Sequence, residues 1–175
     1  AQFPYSFHNN RDNRRYLVEL RQSLSEYPLV IEVRHRSWDR PEVFDFLRDN
    51  RLGFCNIDQP RVSYSLPPTD RVTSPIGYIR LHGRNVRDWF RKGAGRDDRY
   101  NYSYTPAEIE EWLTIIEELT GRVRELYVVA NNHYRGQAPA NALEIRAGIE
   151  GKRIPVPVPL IRAYPRLKGI RSRKE

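Results

Sequence analysis

Apolar positions along the chain follow two alternating rhythms. Residues 11–26 carry Tyr16, Leu17, Leu20 and Leu24 at helical spacing, with Arg, Glu and Gln on the other faces, and predict an amphipathic helix. Behind Pro28 the run Leu29-Val30-Ile31-Glu32-Val33-Arg34 predicts a strand. Pro41 opens a short helix over 41–50, since proline is favoured in a first turn. Gly53-Phe54-Cys55-Asn56-Ile57-Asp58 and Gly77-Tyr78-Ile79-Arg80-Leu81-His82 predict two more strands, separated by a proline-rich connection over 59–75. After a loop over 83–104, Thr105-Pro106-Ala107-Glu108 forms a capping box and opens a helix reaching Thr120, with Ile109, Trp112, Leu113, Ile116 and Leu119 on one face. Leu126-Tyr127-Val128-Val129-Ala130 predicts the fourth strand and 137–150 the last helix. The segment 151–175 alternates Val with Pro and is expected to be an extended, semi-rigid basic tail.

Strands alternating with helices predict an α/β fold with a parallel sheet. Period-two alternation puts Val30, Glu32 and Arg34 on one face of the first strand. The matching sets are Asn56 and Asp58, then Tyr78, Arg80 and His82, then Tyr127, Val129 and Asn131. Each strand therefore has one apolar face and one that turns polar toward its C-terminal end. Strands of a doubly wound sheet are apolar on both faces. One polar face predicts a TIM-type (β/α) barrel, whose active sites lie at the C-terminal mouth. The competing reading fills the interior with Glu32–Arg34 and Arg80–Asp58 ion pairs. Buried charges are costly, and their gathering favours a site.

Glu32, Asp58 and His82 are the acid–base candidates at that mouth. Arg34, Arg80 and Arg84 offer planar guanidinium donors for phosphate or carboxylate, and Gly83 allows close backbone approach. His35 and Trp38 follow the first strand, where Trp38 either stacks on a ligand ring or packs in the core. Asn131, Asn132, His133, Tyr134, Arg135 and Gln137 lead into a helix N-terminus, which favours anions. The loop 83–104 interleaves Trp89, Phe90, Tyr100, Tyr102 and Tyr104 with arginines, as a nucleic-acid stacking surface or a mobile lid would. His8, His35, His82, His133, Glu32 and Asp58 form a His/carboxylate inventory without a metal-ligand spacing, and no metal or cofactor is expected. Cys55 reads as inert core.

Five ordered motifs carry a resemblance. They are Phe3-Pro4-Tyr5-Ser6-Phe7-His8, Glu32-Val33-Arg34-His35-Arg36-Ser37-Trp38, Asp58-Gln59-Pro60, Arg80-Leu81-His82-Gly83-Arg84, and Asn131-Asn132-His133-Tyr134-Arg135-Gly136-Gln137-Ala138. Together they resemble the domain-of-unknown-function 72, or YecE-like, family over residues 1–147. The resemblance implies a TIM-type barrel and no established activity. Such a barrel takes about 250 residues. The chain then reads as the C-terminal half of one over 1–150, followed by the tail. A missing N-terminal half-barrel or self-association is expected to cover the open edges.

Composition changes this picture in three ways. The formal charge of +8 lies almost wholly in 151–175, which holds 8 of the 30 Lys+Arg and one acidic residue. The anion argument therefore rests on placed arginines rather than on bulk charge. One cysteine excludes an intramolecular disulfide framework and fits a reducing, cytoplasmic setting. No run approaches about 18 apolar residues, so no membrane association is expected. The function expected is binding, with hydrolysis or lyase chemistry, of a phosphate-bearing ligand such as a nucleotide or nucleic acid. The alternatives are a non-catalytic nucleic-acid-binding module using the tail and loop 83–104, and an inactive barrel fragment.

Overall fold

The computed structural model describes residues 1–172. An opening helix, α1 (Arg11–Ser23), is capped by the Asn10 side chain and leads to β1 (Leu29–Ile31). A 3-10 turn at Arg36–Trp38 and α2 (Pro41–Asp49) connect β1 to β2 (Leu52–Asp58). An irregular connection, as its prolines predict, leads to β3 (Ile76–Leu81). Loop 83–104 holds two one-turn helices, α3 (Val86–Trp89) and α4 (Arg96–Arg99). The capping box of Thr105 and Glu108 starts α5 (Pro106–Thr120), which returns the chain to β4 (Glu125–Ala130). A 3-10 turn at Tyr134–Gly136, α6 (Gln137–Glu150), α7 (Val158–Ala163) and a 3-10 helix at Pro165–Ile170 complete the order.

The four strands pair in parallel in sequence order, with no reversal. A doubly wound sheet reverses its order at a switch point, whereas a barrel winds one way. The fold is thus an α/β arc of TIM type. The first core joins Leu17, Ile31, Val43, Leu47 and Phe54, and the second joins Ile79, Leu81, Trp112, Ile116 and Ile145. Both lie between the outer face of the sheet and the helices. Trp38 belongs to the first: it is fully buried, stacks on Phe7 at 5.4 Å and donates its Nε1–H to the Phe7 carbonyl at 2.7 Å. It is core rather than a ligand platform.

Register corrects the reading of β2. Cys55 pairs with Tyr78, Asn56 with Ile79, Ile57 with Arg80 and Asp58 with Leu81. Asn56 and Asp58 therefore share the outer, helix-facing side with Ile79 and Leu81, and Cys55 and Ile57 share the inner side. Asn56 is satisfied from the irregular connection, accepting from Thr69 Oγ1 at 2.7 Å and Arg71 N at 2.8 Å.

The extended tail is also corrected over 151–172; Arg173 and Lys174 of the expected basic tail lie outside the described residues. Ile154, Val156, Ile161 and Leu167 are buried against Ala140 and Ala147 of α6 in a third core. Ile154 and Ser172 close the segment on itself through the Ile154 N–H to the Ile170 carbonyl and the Ser172 N–H to the Ile154 carbonyl, both 2.8 Å. Pro157, Pro159 and Pro165 sit at the cap or in the first turn of α7 and of the 3-10 helix at Pro165–Ile170, where a missing N–H costs nothing.

Candidate functional site

The inner face converges on Glu32, one residue beyond β1 and 3% exposed. Its backbone bridges the N-terminal residues: the Glu32 N–H donates to the Ala1 carbonyl at 2.8 Å and the Phe3 N–H to the Glu32 carbonyl at 2.9 Å. Arg34 donates Nε and Nη2 to Glu32 Oε1 at 3.3 and 3.1 Å. Arg80 donates Nη1 to Oε2 at 2.6 Å and to Gln2 Oε1 at 2.7 Å. His82 Nε2 lies 3.0 Å from Oε1. Two strands thus aim two guanidinium groups and an imidazole at one carboxylate.

The protonation states follow from this geometry. Asn131 presents its amide nitrogen to His82 Nδ1 at 3.0 Å, so Nδ1 accepts and Nε2 carries the proton donated to Glu32. Burial pushes the His82 pKa down, with Arg34 and Arg80 adding to the effect against the pull of Glu32. Burial pushes the Glu32 carboxyl up. The His82 hydrogen bond and the charges of Arg80 and Arg34 outweigh it and hold the group down at about 2. A neutral imidazole, one carboxylate and two guanidinium groups leave the cluster one positive charge in excess.

That charge borders open space. A concave cavity of about 490 Å³ runs along the inner face, walled by Val30, Cys55, Tyr78 and Val129, with Glu32 and Arg80 reaching into it. Cys55 is buried and its thiol is pushed far up by that burial, so it is no nucleophile. On the other side Arg34 lies over the Trp89 ring at 5.6 Å, and Trp89 and Tyr100 flank His82 at 6.2 and 5.9 Å. Loop 83–104 therefore folds across the strand ends.

Asp58 and Arg84 form a separate cluster behind the sheet. Arg84 donates Nε to both Asp58 oxygens at 3.1 and 2.8 Å, Nη1 to Glu108 at 3.1 Å and Nη2 to Glu111 at 3.0 Å. The Trp112 indole donates to Asp58 Oδ2 at 3.1 Å. The expected Arg80–Asp58 pair is not formed. Arg84 has a carboxylate on every nitrogen and joins β2 and the loop after β3 to α5 instead of facing the mouth. Glu108 reads in sequence as a helix cap alone, and its second partner comes from a distant loop that no local pattern announces.

The segment after β4 divides likewise. Asn131 joins the cluster. Asn132 is fully buried and donates to the Tyr102 carbonyl at 2.7 Å and to Asn141 at 2.8 Å. His133 lies 3.2 Å from the Asn131 carbonyl and 3.2 Å from Asp97, fastening loop 83–104. Gln137 donates to Asn101 at 2.9 Å, a second fastening. Tyr134 supports the Arg135 guanidinium at 5.1 Å, and Arg135, at φ 51°, is exposed. His35 caps its 3-10 turn through Nδ1, which accepts from Ser37 N at 3.1 Å. Gln2, which bonds Arg80, and Tyr5 and Tyr64, which flank His35 at 5.3 and 6.0 Å, are additions that the strand pattern does not reveal.

No helix among the described residues is long and apolar enough to cross a membrane. At 29% identity the chain resembles the UPF0759 protein YunF of Bacillus subtilis (strain 168), over 82% of this chain and 54% of that relative. A solved DUF72 family protein from Thermotoga maritima superposes with a TM-score of 0.80 at 41% identity, covering 86% of this chain and 56% of its own. A DUF72 family protein from Enterococcus faecalis V583 gives 0.80 at 28% identity, covering 85% and 57%. The chain thus spans little more than half the length of these relatives. The model of DUF72, described as a protein of unknown function, matches residues 1–161, and the chain belongs to that family.

Proposed function

We propose that the strand-end cluster binds a phosphate-bearing anion, with Arg34 and Arg80 as its holders and His82 and Glu32 as the acid–base pair beside it. The observation that carries this reading is the excess of guanidinium over carboxylate on the inner face. Among the described residues, Arg34 Nη1 and Arg80 Nε and Nη2 hydrogen-bond nothing, while the remaining donors hold Glu32. Guanidinium groups that keep free N–H pairs match the spacing of phosphate oxygens. Glu32, held ionised and oriented by the His82 Nε2–H, is the group that can take a proton from an attacking water or a substrate carbon, as hydrolysis or lyase chemistry on a phosphate-bearing ligand requires. Asp58 and Arg84 are left out of this proposal, because each is fully engaged behind the sheet.

Titration calorimetry with inorganic phosphate, at constant ionic strength against a chloride control, tests the reading. The expected result is saturable binding that Arg80→Ala weakens about tenfold or more, the loss of one charge-assisted contact. Binding that is unchanged in Arg80→Ala, or no binding in the wild type, overturns it.

A further inference from the structure

We infer that the rim of this mouth is a stacking platform for the bases of single-stranded nucleic acid, a polymeric form of the phosphate-bearing ligand; the inference rests on the anion-binding reading above. Four rings contributed by four separate segments follow one another at centroid distances of 5.3 to 6.0 Å. Tyr64 lies 6.0 Å from His35, His35 5.3 Å from Tyr5, and Tyr5 5.4 Å from Phe90. Phe90 adjoins Trp89, on which the Arg34 guanidinium rests. The ends of this belt are open: Tyr64 is 60% and Phe90 56% exposed. Rings held at that exposure keep more than half of their surface open to solvent, which leaves room for the sequence-tolerant stacking of a base.

A second observation is independent of the rings. Most exposed arginines among the described residues are tied to a carboxylate; Arg11, Arg51, Arg153, Arg162 and Lys168 have no acidic partner there, and neither does a group of four, Arg36, Lys92, Arg99 and Arg135. All four stand in loops that follow the C-terminal ends of strands, and in a parallel sheet those ends share one side of the molecule. Arg36 donates to the Ser63 carbonyl, one residue before Tyr64, and Lys92 follows Phe90 by two residues. Unpaired cations at both ends of the belt, Arg36 on the segment of Tyr64 and Lys92 two residues from Phe90, match a strand that alternates phosphates with bases. A free mononucleotide has one base and one phosphate cluster and would leave most of the rim idle.

The experiment is fluorescence anisotropy with a labelled oligothymidylate of roughly ten nucleotides, an abasic phosphodiester strand of equal length, and a duplex. Inorganic phosphate is titrated in parallel. The base-bearing strand is expected to bind about tenfold tighter than the abasic one and the duplex. Tyr64→Ala and Phe90→Ala are expected to lose roughly five- to hundredfold for that strand, with inorganic phosphate unaffected and Tyr64→Trp restoring affinity. Affinity should fall with salt at a log–log slope of about −0.7 for each phosphate engaged. Equal affinity for the base-bearing and abasic strands, or for strand and duplex, overturns the inference and leaves the anion site standing. Absence of phosphate binding in the wild type overturns the reading beneath it.

Discussion

Asn131, at the end of β4, donates its side-chain amide to Nδ1 of His82, at the end of β3, across 3.0 Å. This contact fixes the tautomer of a fully buried imidazole and directs its proton at Glu32. The order of the cluster is therefore amide, imidazole, carboxylate, guanidinium, with each group constrained by the next. A hydrogen-bonded chain of this kind is worth more intact than its pairs taken singly.

The first consequence is a pH dependence of stability. Burial lowers the folded-state pKa of His82 below 6.5, so the unfolded chain binds more protons just below that pH. Stability from this group is complete above about 6.5 and is lost as pH falls. His82→Gln keeps a donor for Glu32 and an acceptor for Asn131 but does not titrate. The rise in melting temperature between about pH 5 and 7 should flatten in this variant. It should not vanish, because His35, also lowered by burial, acts in the same direction. An unchanged slope would exclude His82 as its source.

Glu32 contributes in a lower window. Its carboxyl falls from 4.5 to about 2 on folding, so its stabilisation is present above 4.5 and is lost as pH drops toward 2. The shift corresponds to about 3 kcal/mol. Glu32→Gln should cost about that much in urea titration, since two guanidinium groups lose their counter-charge. The same change frees their donors, so phosphate should bind this variant more tightly and raise its melting temperature further than in the wild type. Weaker phosphate binding in Glu32→Gln would contradict the assignment of Arg34 and Arg80 as the holders.

Asp58 and Arg84 should behave differently. Arg84→Ala leaves Asp58, fully buried, with no counter-charge and only the neutral donors of Trp112 and Tyr104, and the expected loss is about 3–5 kcal/mol. Anion affinity per folded molecule should be unaltered. Chemical denaturation and phosphate titration on the same preparation separate the two effects.

The segment after α6 gives a fourth outcome. Leu167→Ala removes a fully buried side chain from the third core and should cost about 2–4 kcal/mol. An extended solvated tail would tolerate the change, so an unaltered unfolding midpoint would contradict the packing described.

The sequence disclosed the strand–helix alternation and three of the four inner faces, because Glu32, Arg80, His82 and Asn131 interrupt apolar runs at period two. β2 concealed its faces: all seven residues are buried, so no solvent-facing position marks the phase. Asn56 and Asp58 looked like a polar inner face, whereas their partners, Thr69, Arg84 and Trp112, come from the outer side through tertiary contacts. The tail concealed its fold for a related reason. Val–Pro alternation reads as extended chain, while the apolar surface that buries Ile154, Val156 and Ile161 belongs to α6. Where the chain's own rhythm set the structure it was legible, and where a distant element set it the local pattern misled.

The most direct measurement is anomalous diffraction from crystals soaked in tungstate, a heavy tetrahedral oxyanion that stands in for phosphate. The account predicts a peak on the inner face within hydrogen-bonding reach of both Arg34 and Arg80, and its loss in Arg80→Ala. A peak confined to Arg84, Arg135 or residues 151–172, with the inner face empty, would contradict it.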